Sequence, residues 1–214
     1  MRAIAIDETF PPARNNLGML YLHRGDHLRA AREFEHAAAL GFTDLKAAQY
    51  AGLLRSAAAS AAGVRPTDAA RLYAVALTLD AANHRALDGL ARLHYRGGRL
   101  AEAAVLSDSS IALVGGQPSW LREYGMTRAL IALEAGDVAT AGRLLERISR
   151  GIAGAGLDLL RALVRWEQGR TDEARAAYAD ALRKDPRLTN PDHARSRFGL
   201  SDDAVARLER IRAR

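Results

Sequence analysis

Apolar and polar residues along this chain alternate with the period of a helix, and no run alternates with the two-residue period of a strand. One arrangement recurs five times: a small residue inside an amphipathic stretch, a glycine, an alanine, a bulky residue four positions on, and a small or aliphatic one three further. The alanines are Ala30, Ala69, Ala103, Ala141 and Ala174, spaced by 39, 34, 38 and 33 residues. The small residues one stretch earlier are Gly18, Gly52, Ala91, Ala129 and Ala162; they precede the alanine by 12 residues in four units and by 17 in the second. Gly25, Gly63, Gly98, Gly136 and Gly169 stand between them. The bulky positions are Phe34, Tyr73, Leu145 and Tyr178, with Ser107 the exception, and Ala37, Ala76, Ser110, Ile148 and Ala181 follow. Positions i, i+4 and i+7 share one helix face, so each unit predicts two antiparallel helices. The glycine supplies the left-handed residue that ends the first helix. The small residue allows a close crossing, and Gly18 and Gly52 are expected to lie where the two helices of a hairpin nearly touch.

Five units result, over approximately 11–44, 45–83, 84–117, 118–154 and 155–188, the second having about five extra residues in a longer first helix or turn. Residues 1–10 read as the second helix of an incomplete preceding repeat, because Ala3-Ile4-Ala5-Ile6-Asp7 parallels Ala76-Leu77-Thr78-Leu79-Asp80. Half a hairpin cannot bury its apolar face alone, so Ile4 and Ile6 predict cover from an upstream helix of a longer solenoid, from a second copy or from a partner, and an exposed patch here favours self-association. Residues 189–214 read as a linker and a C-terminal capping helix. That helix starts at Ser201, has Asp202 and Asp203 at its positive end, and carries Val205, Leu208 and Ile211 on one face.

Composition narrows the function classes. Alanine, leucine and arginine dominate and aromatics are 6%, a helix-former's composition. The absence of cysteine excludes disulfides and thiolate metal sites. No apolar run reaches the roughly 18–20 residues that span a bilayer. The opening Met1-Arg2-Ala3-Ile4-Ala5-Ile6-Asp7 is too short and too soon charged for a signal peptide. A soluble protein of the cytoplasm, or of the periplasm after removal of a leader, fits equally. The net charge is +6, and residues 183–214, with nine basic and five acidic side chains, hold +4 of it. A basic end of this kind can attract nucleic acid or acidic lipid, but it reads first as a solvated terminal helix.

Three constellations bear on chemistry. His23 and His27 have the spacing of a helical metal pair, but Gly25-Asp26 breaks the helix between them. Gly151-Ile152-Ala153-Gly154-Ala155-Gly156 precedes a helix, yet lacks both the strand of a dinucleotide cradle and the Lys-Ser/Thr of a P-loop; it reads as a link between hairpins. Asp108-Ser109-Ser110 has no nucleophile-elbow context. The sequence therefore predicts a non-enzyme with no cofactor and no metal site.

The first unit, Asn15-Asn16-Leu17-Gly18-Met19-Leu20-Tyr21 with Gly25-Asp26, Ala30, Phe34 and Ala37, resembles the tetratricopeptide repeat nearly position for position. Gly169, Ala174, Tyr178, Ala181 and Asp185-Pro186 match its second half. The resemblance runs over residues 11–188 and implies a right-handed all-α solenoid with a concave groove lined mainly by first helices. Its groove positions fall on Asn15, Met19, Leu22 and His23; on Gln49 and Leu53; and on Arg85, Asp88, Arg92, Tyr95 and Arg96. In the last two units they fall on Met126, Leu130, Leu133 and Glu134, then Leu159, Leu163, Trp166 and Glu167. That groove is basic with one aromatic in its middle, and apolar with an acidic edge toward its C-terminal end. The alternative for Leu130, Leu133, Leu163 and Trp166 is hairpin core. The clamp for acidic chaperone tails is absent, since Met19 and Gly89 depart from it, and so is the asparagine ladder, since Gly89, Thr127 and Leu160 interrupt it. The resemblance implies a bacterial interaction scaffold or adaptor that holds a protein or peptide segment with acidic and apolar residues, in an envelope, pilus or secretion assembly. The alternatives are a recruiting domain of a larger enzyme and, more weakly, RNA binding through the arginines.

Overall fold

The computed structural model describes residues 10–42, 46–62, 65–149 and 153–213. Among the described residues every regular element is helical. The chain divides into two compact units, residues 1–93 and 94–214.

The first unit holds α1 (Pro11–His23), α2 (His27–Ala39), α3 (Ala47–Ala61), α4 (Pro66–Leu79) and most of α5 (His84–Arg96). Helix α1 pairs with α2, α3 with α4, and α2 stacks on α4. Local chemistry sets these bounds. Pro11 and Pro66 open α1 and α4 at positions where no amide donor is needed. The Asp26 carboxylate caps α2 by accepting from the Arg29 N–H at 3.2 Å. Ala30, Ala31, Phe34, Tyr50, Leu54, Ala69, Leu72, Tyr73 and Val75 form the core of this unit.

The second unit holds the end of α5, α6 (Leu100–Leu113), α7 (Pro118–Glu134), α8 (Val138–Ile148), α9 (Ala155–Glu167) and α10 (Thr171–Lys184). A 3₁₀ turn over Pro186–Thr189, α11 (Pro191–Phe198) and α12 (Asp202–Ala213) complete it. Helix α7 pairs with α8 and α9 with α10, while α7 also meets α9. One continuous core runs from Tyr95 through Leu130, Leu145, Leu163 and Tyr178 to Val205, Leu208 and Ile211.

The repeating positions behave as their spacing predicts. Ala30, Ala69, Ala103, Ala141 and Ala174 are all fully buried. Gly25, Gly98, Gly136 and Gly169 take left-handed φ values of 75°, 74°, 77° and 73°. After each glycine the next amide closes back on the helix: Asp26 to the Tyr21 carbonyl at 3.0 Å, Arg99 to His94 at 2.9 Å, Asp137 to Ala132 at 2.8 Å and Arg170 to Arg165 at 2.9 Å. This six-to-one bond satisfies a carbonyl that the helix end would orphan.

Three differences from the sequence reading are physical. Gly18 sits against Phe34, where a Cβ would lie 2.8 Å from the ring, but a Cβ on Gly52 would meet nothing within 4 Å. The expected close crossing at Gly52 is therefore absent. A tight approach in the same unit belongs instead to Gly89 of α5, whose Cβ would lie 2.3 Å from the Tyr73 ring of α4. Among first helices, α3 has 15 residues against 13 in α1, α5 and α9, yet α7 is longest with 17. The stretch read as linker contains α11, started by Pro191 and by the Asn190 side chain, which accepts from the Asp192 N–H at 2.8 Å. The partial helix expected over residues 1–10, with Ile4 and Ile6, lies outside the described residues apart from Phe10, as do Gly63 and the Gly151-Ile152 part of the glycine-rich link.

Candidate partner-binding face

In the first unit, two first helices contribute to one surface. Met19 of α1 is half-buried, and its sulfur accepts from the Tyr50 hydroxyl of α3 at 3.0 Å. Tyr50 in turn stacks on Phe34, with ring centroids 5.1 Å apart. Around this joint His23, Gln49 and Leu53 are exposed, Leu53 to 47%. His23 Nδ1 lies 2.7 Å from the Met19 carbonyl oxygen. Asn15 does not share this exposure. It is 4% exposed, its amide 3.9 Å from the Met19 sulfur, so it braces Met19 from beneath and offers a partner nothing directly. Leu22 is likewise core.

On α5, Arg85 and Arg96 are exposed, and Arg92 Nε donates to the buried Asp88 carboxylate one turn earlier at 2.7 Å. An i,i+4 pair of this kind steadies the side chain on its own helix. His84 beside Arg85 is held below its ordinary pKa by desolvation first and then by the Arg85 and Arg55 charges. Tyr95 is 3% exposed and cannot take an apolar neighbour from outside. Burial, more than any other influence, pushes its phenol well above the usual range, so it is a neutral hydrogen-bonding group.

The apolar groove positions of the second unit are covered. Leu130 and Leu163 are 5% and 1% exposed, and Leu133 and Leu159 are also buried. They lie in one core to which α8, α10 and α12 all contribute, and α12 packs on α7, α9 and α10. Trp166 and Met126 are half-buried against the same core. Gly156 brings Met126 and Phe198 of α11 together, since a Cβ there would lie 2.9 Å from the methionine methyl and 2.8 Å from the phenylalanine ring. The hydrogen bonds are equally specific. The Tyr95 hydroxyl donates to Glu134 at 3.3 Å, the Ser201 N–H donates to the Tyr95 oxygen at 3.3 Å, and the Ser201 hydroxyl donates to Glu134. Ser201 also caps α12 by accepting from the Ala204 N–H at 3.0 Å. Further along, Arg207 of α12 meets Glu167 of α9 at 3.4 Å.

Sequence reasoning did not single out Ser201, Arg207 or Phe198 as lining anything. It also passed over Asp158, a carboxylate 2% exposed that accepts from Arg161 and Lys184, each at 2.5 Å, and so ties α9 to α10.

Paired helices closed by a left-handed glycine, stacked through α2 and α4 in the first unit and through α7 and α9 in the second, define an α-hairpin repeat protein. Comparison with known proteins specifies the class. A tetratricopeptide-repeat family model matches residues 159–207. Solved structures share the fold: a tetratricopeptide repeat protein from Parabacteroides merdae has a TM-score of 0.59 at 15% identity, covering 95% of this chain and 79% of its own. A thermophilic tetratricopeptide protein of Thermus thermophilus gives 0.55 at 18%, covering 92% and 99%. PilW, a type IV pilus biogenesis factor, gives 0.52 at 15%, covering 98% and 86%. No curated protein matches in sequence. The family model thus identifies a tetratricopeptide repeat over residues 159–207, and the chain shares the fold of the solved tetratricopeptide structures. Among the described residues no helix is long and apolar enough to cross a membrane.

Proposed function

We propose that this chain is a non-catalytic adaptor that holds a segment of a partner protein on the first-helix face of its first unit. The observation that carries this reading is the joint between α1 and α3, where Met19 and Tyr50 lock together and leave Leu53, Gln49 and His23 exposed around them. A flexible thioether beside an exposed leucine is a surface that adapts to an apolar side chain. Arg85 and the Arg92–Asp88 pair leave one positive charge in excess among these three side chains of α5, which favours a segment carrying Asp or Glu beside a bulky apolar residue. Pilus, envelope or secretion assemblies are the setting proposed, in keeping with the fold shared with a pilus biogenesis factor.

The test is affinity capture from the native organism, using the full chain and a Met19→Asp, Leu53→Asp double variant. A protein retained by the wild type and lost from the variant supports the reading. A variant that folds and retains the same protein overturns it, as does a wild type that retains nothing above a bare matrix.

A further inference from the structure

We propose that α12 is an internal ligand of the second unit's first-helix face, and that an amphipathic helix of another protein, with one Arg or Lys on its polar edge, takes its place there. Three observations carry this. First, α12 reaches farther than a cap. A helix closing a repeat stack needs only its nearest neighbour, and α9 with α10 would provide that. Yet α12 also packs on α7 of the preceding hairpin, and Ser201 at its start bonds to Tyr95 of α5 and Glu134 of α7. Second, α12 has the form of a helix laid in a groove. Ala204, Val205, Leu208 and Ile211 are buried, while Asp202, Asp203, Glu209, Arg210 and Arg212 face solvent. Anchors at i, i+1, i+4 and i+7 are how an amphipathic helix occupies a hydrophobic groove. Third, the polar edge of the groove specifies its occupant. Glu134 and Glu167 hold equivalent places one hairpin apart; the first receives a hydroxyl and the second a guanidinium from α12. An incoming helix therefore needs a small-aliphatic stripe, a Ser or Thr at its start, and Arg or Lys six residues later, as Ser201 and Arg207 are spaced.

The attachment allows exchange. Helix α11 ends at Gly199 in a left-handed conformation with φ of 68°; along the chain Leu200, itself buried, and Ser201 lead to α12, and the Arg195 guanidinium of α11 donates to Asp202 of α12 at 2.9 Å, a bond that exchange breaks. Rotation at Gly199 swings α12 away without unwinding α11. The inference concerns residues of the second unit alone, so it stands or fails separately from binding at Met19 and Leu53.

Hydrogen exchange on the intact wild-type chain is the first test. The amides of α12 should exchange about tenfold or more faster than those of α9 and α10, because they open locally. Equal protection in all three overturns the proposal, since α12 would then be released only by global unfolding. The second test uses a fluorescent peptide of residues 199–214 and a full chain carrying Val205→Glu and Leu208→Glu. The tethered helix competes at an effective concentration in the millimolar range, so the peptide should bind the variant at least about tenfold more tightly than the wild type. A helical, cooperatively melting variant that ignores the peptide overturns the proposal. So does a wild type that forms a dimer by exchanging α12 between copies, because the occupant is then a second copy of this chain.

Discussion

Two glycines at the same place in successive repeats should respond to the same substitution in opposite directions. Gly18 and Gly52 both lie inside helices, in α1 and α3, and both belong to the first unit. Alanine is favoured over glycine in a helix interior by about 1 kcal/mol at either position, so propensity cancels when the two variants are compared. What remains is space. A Cβ on Gly18 lies 2.8, 2.9 and 3.2 Å from three carbons of the Phe34 ring, whereas one on Gly52 touches nothing within 4 Å. Optimal carbon contacts are about 3.5–4.0 Å, so the ring must retreat by several tenths of an ångström. It is buried and stacked on Tyr50 at 5.1 Å, which leaves it little room. Overpacking of this kind costs about 1–3 kcal/mol. Gly52→Ala should therefore stabilise the chain, and Gly18→Ala should lie about 1–3 kcal/mol below it. In a chain of this size that separates the two melting midpoints by roughly 2–12 °C. Thermal unfolding followed by circular dichroism reads the difference directly, and because both sites sit in one unit the same transition is perturbed. A Gly18→Ala variant that melts at or above Gly52→Ala would refute the packing argument.

Two further outcomes follow from the second unit. Leu163→Ala should destabilise by about 2–5 kcal/mol in urea unfolding, as for a buried leucine; a change near zero would return Leu163 to an open groove. Asp185 has its pKa lowered by Arg187 first and His193 second, so its stabilising effect is fully present above the unfolded carboxylate value near 4 and is lost as pH falls through the folded value. Asp185→Asn should thus lower the melting temperature at neutral pH and flatten its fall toward pH 2, and a variant with an unchanged acid limb would contradict this.

The hairpins were legible because close helix packing demands small residues at a fixed period, and Ala30, Ala69, Ala103, Ala141 and Ala174 carry that demand openly. Gly52 misled because a small residue permits a close crossing without requiring one. Helix α11 was missed because its eight residues include three charged ones and a histidine, too short and polar to show a periodic stripe. The apolar character of Leu130 and Leu163 was legible, but a sequence records which face is apolar and not what covers it. The clue to the cover lay in α12, whose stripe of Ala204, Val205, Leu208 and Ile211 continues without interruption into α7 and α9.

The central claim, that the first unit receives a partner on its first-helix face, is tested most directly by placing a photo-crosslinking amino acid in the full chain inside the native cell. Positions Leu53 on that face and Val105 on α6, both exposed, are compared under the same irradiation. Leu53 should crosslink to one defined protein and Val105 should not. Crosslinking to the same protein from both positions, or from neither, would contradict it.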